Sequence, residues 1–398
     1  MKIKHGDFRV FSIVLWLSIC VCTAGFCLSF AKTDESPGRL RARDFGIEVG
    51  ILPTGQLNAI TDVPGILVGH KTIDIGDDVR TGVTAIIPFE GNIFKEKLPA
   101  AVFVGNGFGK AVGLSQIEEL GTLETPIVLT NTLSVAEAMS ALVEYTLKQP
   151  GNEDVRSVNS VVAETNDGYL NNIRKRVVEK QDIFDAIYAA KGGKVEEGAV
   201  GAGRGTICLG FKGGIGTSSS LVKVGSEFYT VGVLVQTNFG GILEILGAPV
   251  GRELGVHYMS GMVDKGSCII VVATNAPCGA GSLRRIARRA IYAMAKTGTV
   301  YSNGSGDYAI AFSVFKHLQS GKNRSAEKLS GSALNPLFLA VQEATVEAVY
   351  NSMFMAETTC GYKKRCVKAL PLDRVEEICK RYNVLWLSRG LPVVDYTR

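Results

Sequence analysis

The chain has 398 residues, of which 46% are hydrophobic, and a formal net charge of +5. That is enough apolar material for a large buried core, and too mild a charge to imply nucleic acid or a membrane surface as partner. No C-x-x-C pair and no H-E-x-x-H run occurs, so a metal site has no sequence support and no cofactor is expected.

Lys2, Lys4 and Arg9 make a basic start, Val10 to Phe30 carries no charge, and Ser29-Phe30-Ala31 offers small residues at the positions a signal peptidase reads. Residues 1–31 are therefore expected to be a signal peptide, directing export to the periplasm or medium. The same stretch is long enough to span a bilayer, so an uncleaved anchor is the alternative. None of Cys20, Cys22 or Cys27 follows the small residue a lipoprotein site requires. For residues 32–398 length alone suggests two or three domains, but no Pro/Ser-rich or single-sign linker divides them, and one domain is expected. Of the cysteines left, Cys360 and Cys366 are close enough for a local loop in an oxidising compartment, whereas Cys208 and Cys268 lie in apolar runs that favour buried thiols.

In chain order, strands are expected at 100–104, 127–130, 160–163, 206–211, 230–235, 268–273 and 309–314, all short and rich in β-branched residues. Ser134 with Glu137 reads as a capping box opening a helix through Val135, Met139, Leu142 and Val143. A second helix is expected from Ser282, and Asn335-Pro336 opens a long third one. Eight of the nineteen residues from Gly198 to Gly216 are glycine, yet the run enters strand-like sequence without a Gly-Lys-Ser/Thr step, so close packing and turns are favoured over a phosphate cradle. Arg284, Arg285, Arg288 and Arg289 recur at helical spacing and read as a solvated face.

A Ser-His-Asp hydrolase is disfavoured. Only His70, His257 and His317 follow residue 31, His70 closes an apolar run, and no G-x-S-x-G elbow surrounds Ser305. The step Gly266–Ser267, at the mouth of CIIVVATNAP, suggests another chemistry. A serine hydroxyl attacks a preceding carbonyl most easily when that residue is glycine. Cleavage there would give Ser267 a free α-amine, whose reference pKa near 7.7–8.0 suits a base at neutral pH. Glu164, closing an apolar strand, is a candidate anchor for a substrate ammonium group.

The segments ITDVPGILVGH (60–70), TGVTAIIP (81–88), VFVGNGFGK (102–110), ELGTLETPIVLTNT (119–132), ETNDGYLN (164–171), VLVQTNFG (233–240), GSCIIVVATNAP (266–277) and SNGSGDYAIAFS (302–313) lie in the expected order for one family. Through them the chain resembles the self-processing L-aminopeptidase/D-esterase and β-peptidyl aminopeptidase family, peptidase family S58. The resemblance implies a four-layer αββα sandwich, layered like N-terminal-nucleophile hydrolases but differently connected. It implies a cut into 32–266 and 267–398, Ser267 as nucleophile, and assembly of the αβ units into a homo-oligomer. Ser305 and Asp307 match the family's supporting serine and acid; that acid is Asp or Glu, and Asp has the shorter reach. Asn238 matches the oxyanion donor and Tyr169 an active-site tyrosine. The expected substrates are short peptides, amides or esters with a free amine. The alternatives are an acyl-transferring relative of the ornithine acetyltransferase type and an inactive exported binding protein. The sequence leaves the preference among L-, D- and β-residues open.

Overall fold

A computed structural model describes residues 38–258, 266–318 and 328–387. From Arg39 onward the described residues belong to one compact unit. The expected signal segment lies outside the described residues. In chain order the unit contains strands β1 (Leu67–Ile75), β2 (Val79–Ile87), β3 (Leu98–Gly107), β4 (Thr122–Leu123) and β5 (Ile127–Asn131), then helix α1 (Val135–Leu147). Strand β6 (Val161–Thr165) precedes helix α2 (Lys180–Tyr188), and the short pair β7 (Ile207–Cys208) and β8 (Phe211–Lys212) precedes the long hairpin β9 (Ile215–Val224) and β10 (Glu227–Asn238). Then come β11 (Ser267–Thr274), helix α3 (Ala280–Met294), β12 (Gly306–Ser313), helix α4 (Asn335–Phe354) and a last hairpin, β13 (Thr359–Gly361) and β14 (Arg365–Val367).

Two sheets carry the fold, a four-stranded one in the order β1-β2-β5-β6 and a six-stranded one in the order β4-β3-β12-β11-β10-β9. Neighbours run antiparallel except β5 with β6 and β11 with β12, each joined by a crossover through a helix. Helices α1 and α2 cover the smaller sheet; α3 and α4 cover the larger. Strand β11 explains the layering. Every residue in it is buried, and alternate side chains go to different cores. Ile269, Val271 and Ala273 pack with the smaller sheet, while Cys268, Ile270 and Val272 pack with α3 and α4. The chain is thus the four-layer αββα sandwich that its motifs implied. At Gly216 on β9 a Cβ would stand 2.0 Å from the Ala348 carbonyl of α4, so glycine there sets how closely the helix lies on the sheet.

Some expected elements differ. The run 206–211 is not one strand: Leu209 (φ +50°) and Gly210 (φ +85°) turn it back into β7 and β8. Helix α1 is not opened by a Ser134–Glu137 box. Asn131 caps this turn instead, its Oδ1 accepting from Leu133 N–H and from the Ser134 hydroxyl, both at 3.1 Å. Helix α3 begins at Ala280, two residues before Ser282. Its arginines do form an outer face: Arg284 pairs with Glu118, and Arg285 and Arg289 lie over the Phe338 ring. Cys360 and Cys366 are joined as a disulfide across β13 and β14, and Cys208 and Cys268 are buried free thiols.

Candidate active site

Ser267 opens β11 at the point where three strands meet. It stands opposite Asn238, the last residue of β10, and opposite Gly306, the first residue of β12. The Gly306 N–H donates to Ser267 Oγ at 3.1 Å. Just before it, Gly266 is wedged against β10: a Cβ there would lie 1.9 Å from the Asn238 carbonyl oxygen and 2.2 Å from Phe239 Cα. Glycine is therefore a packing requirement at 266. Both residues line a cavity of about 710 Å³.

Asn238 lines the same cavity. Its Oδ1 accepts the Ile207 N–H at 3.0 Å, which fixes the orientation of the amide. The Nδ2 group donates to the Asn166 carbonyl at 3.2 Å, and among the described residues its second proton has no acceptor.

Ser305 and Asp307 lie behind this lining, 1% and 0% exposed. The Ser305 hydroxyl donates to Asp307 Oδ1 at 2.8 Å, and the same oxygen accepts the Cys268 N–H at 3.1 Å. Its Oδ2 is buried without a partner among the described residues. Burial pushes the carboxyl up to about 6 against those two stabilising hydrogen bonds. A shift in register between Asp307 and Tyr308, where β12 pairs with β3, interrupts the regular ladder beside it. The contacts that tie this pair to Ser267 are backbone ones, from Gly306 and Cys268.

Glu164, in β6, reaches the cavity from the smaller sheet and is only 3% exposed. Its Oε1 accepts the Lys110 N–H at 3.0 Å, and Oε2 accepts the Thr132 hydroxyl. Tyr169 lines the wall, its ring 4.6 Å from the Arg365 guanidinium. Ser267, Asn238, Glu164 and Tyr169 thus converge on one space, with Ser305 and Asp307 supporting it from behind. Sequence reading missed Thr132, Lys110, Asn166 and Arg365, which also line it. Thr132 and Asn166 stand just past strand ends, and Arg365 closes the charged run Lys363-Lys364-Arg365, so none of them carries a signal of its own. His70 lies elsewhere in the fold. Its Nδ1 meets Thr84 Oγ1 at 2.9 Å, and burial pushes the ring down to about 4, as fits a structural histidine.

Residues 58–367 match the model of peptidase family S58. The chain belongs to that family. It is 38% identical to the beta-peptidyl aminopeptidase BapA of Sphingosinicella microcystinivorans, over 93% of this chain and 98% of that one. Among solved structures, a protein from Pyrococcus horikoshii OT3 superposes with a TM-score of 0.80 at 44% identity, covering 86% of this chain and 99% of that one. The L-aminopeptidase D-Ala-esterase/amidase of Ochrobactrum anthropi superposes with a TM-score of 0.78 at 35% identity, covering 87% and 99%. That enzyme is described as a prototype of the serine aminopeptidases and a variant of the Ntn-hydrolase fold. With its family, the present chain is an aminopeptidase hydrolase.

Proposed function

We propose that this S58 member is a self-activating serine aminopeptidase that cuts itself between Gly266 and Ser267 and then removes single N-terminal residues from short peptides, amides or esters. The observation that carries the reading is the convergence at the Gly266–Ser267 bond. A serine hydroxyl, an oriented amide donor and a buried carboxylate line the cavity into which that bond faces.

In the first step Ser267 Oγ adds to the Gly266 carbonyl carbon. The C–N bond breaks, the hydroxyl proton ends on the released nitrogen, and water hydrolyses the ester. Ser267 then carries its own base. In turnover the α-amine takes the Oγ proton as Oγ attacks the substrate carbonyl, and Asn238 Nδ2 donates to the developing oxyanion. The phenol of Tyr169 is a second candidate donor. The proton passes to the departing amine, and water releases the acyl group. The unpartnered Asp307 Oδ2, backed by Ser305, is available to hold the new amine. Glu164 receives the substrate's ammonium group, which limits cutting to the first residue. Export from the cell fits the basic, then uncharged, N-terminus and the Cys360–Cys366 disulfide.

The test is a pair of otherwise identical short peptides, one with a free amine and one N-acetylated. Only the free-amine peptide should turn over, and Glu164→Gln should mainly raise its KM. Equal rates on both peptides would remove the exopeptidase reading.

A further inference from the structure

Among the described residues, the charged groups on the wall of the cavity are Arg365, Lys110 and Glu164. The planar face of the Arg365 guanidinium lies 4.6 Å from the Tyr169 ring and 5.9 Å from the Tyr362 ring, and Nη1 makes a long hydrogen bond of 3.4 Å to the Tyr169 carbonyl. That occupies one of five N–H donors. Other arginines of the fold are spoken for: Arg41 pairs with Glu197, Arg43 with Glu347 and Arg204 with Asp74. Among the described residues Arg365 has no carboxylate partner.

Its support is rigid. The β13–β14 hairpin is closed by the Cys360–Cys366 disulfide and docked by Tyr362 N–H on the Leu170 carbonyl at 2.7 Å. A Cβ at Gly361 would stand 2.1 Å from that same carbonyl. Lys110 is differently placed: its ammonium rides over the exposed Phe108 ring at 4.9 Å, and its own backbone N–H serves Glu164. Lys110 therefore belongs to the ammonium end of the cavity, and Arg365 to the wall carrying Tyr169.

We infer that Arg365 receives the free C-terminal carboxylate of very short peptides, making the enzyme selective for di- and tripeptides with an unblocked C-terminus. The inference rests on the exopeptidase reading above and adds to it the far end of the substrate. The cavity is of small-ligand size, so both ends of such a peptide fall within it. A planar fork with unspent donors, already ordered by stacking, suits bidentate capture of a carboxylate at little entropic cost. The carboxylate belongs to the leaving fragment. Arg365 therefore acts on binding and acylation, and has no contact with the acyl-enzyme that water later hydrolyses.

The experiment compares kcat/KM for β-alanyl-L-alanine and L-alanyl-L-alanine, each beside its C-terminal carboxamide, in wild type, Arg365→Met, Arg365→Lys and Lys110→Met. For whichever parent peptide is cleaved, wild type should favour the free acid by about 10-fold or more, as expected for a charge-assisted contact. Arg365→Met should remove that preference while leaving the carboxamide rate within about 2-fold, and Arg365→Lys should restore part of it. Lys110→Met should leave the acid-to-amide ratio unchanged. Equal wild-type rates on acid and amide would overturn the inference. So would a parallel loss on both in Arg365→Met, or loss of the preference in Lys110→Met. If wild type cleaves neither parent peptide nor carboxamide, the aminopeptidase reading fails, and the inference fails with it.

Discussion

Ser267 and Arg365 line one cavity but are held there by different means. Ser267 is placed by strand register: its neighbours Asn238 and Gly306 are fixed by the ladders of β10 and β12, and apolar side chains of β11 anchor both cores. Arg365 sits on a three-residue strand outside the main sheets, held by a disulfide and by stacking on two aromatic rings. On this account the sheet junction carries the bond-making chemistry. The appended hairpin reads the far end of the substrate and can be altered without disturbing the chemistry.

Three variants probe that division, in decreasing order of expected effect. Asn238→Ala removes an oxyanion donor at the junction, and kcat on a p-nitroanilide, measured on fully processed protein, should fall by about 10²–10³ with little change in KM. A processed variant with near wild-type kcat would move the oxyanion hole to Tyr169 and backbone N–H groups. Opening the hairpin with Cys360→Ala and Cys366→Ala should raise KM for free-acid dipeptides several-fold while kcat on carboxamides holds. Closing so short a loop contributes about 2 kcal/mol of stability, which chemical denaturation would register. An equal loss of kcat on both substrate types would show that the two regions are not separable.

The smallest effect concerns Asp307. Its pKa is raised in the fold to about 6, from an unfolded value near 4, so the folded chain holds the proton more tightly than the unfolded one. Its contribution to stability is therefore fully present below pH 4 and is lost as pH rises through 6. Asp307→Asn, compared with Asp307 in an uncut Ser267→Ala background, should gain relative stability in urea as pH goes from 4 to 6.5 and then level off. A relative loss over that interval would contradict the buried, partnerless Oδ2.

The strands that build the junction were legible because β11 is an unbroken apolar run and Asn238, Ser267 and Asp307 sit in motifs at strand ends. Their mutual distances were not, since register depends on pairings across the whole chain. Strand β9 escaped sequence reading because Ser218, Ser219 and Ser220 look like loop. In the fold the Ser218 and Ser219 hydroxyls are buried and satisfied by Asn58 and Asp62, at 2.8 and 2.7 Å, from a segment some 160 residues earlier. Arg365 was hidden for a related reason. In Lys363-Lys364-Arg365 it reads as one more solvated charge, and only the fold brings it against Tyr169.

The most direct measurement is the intact mass of purified protein together with N-terminal sequencing of every fragment. Two chains are expected, the second beginning at Ser267, together with a Ser267→Ala variant that stays whole and inactive. A fully active enzyme found as one uncut chain, or a Ser267→Ala variant still cut at the same bond, would contradict it.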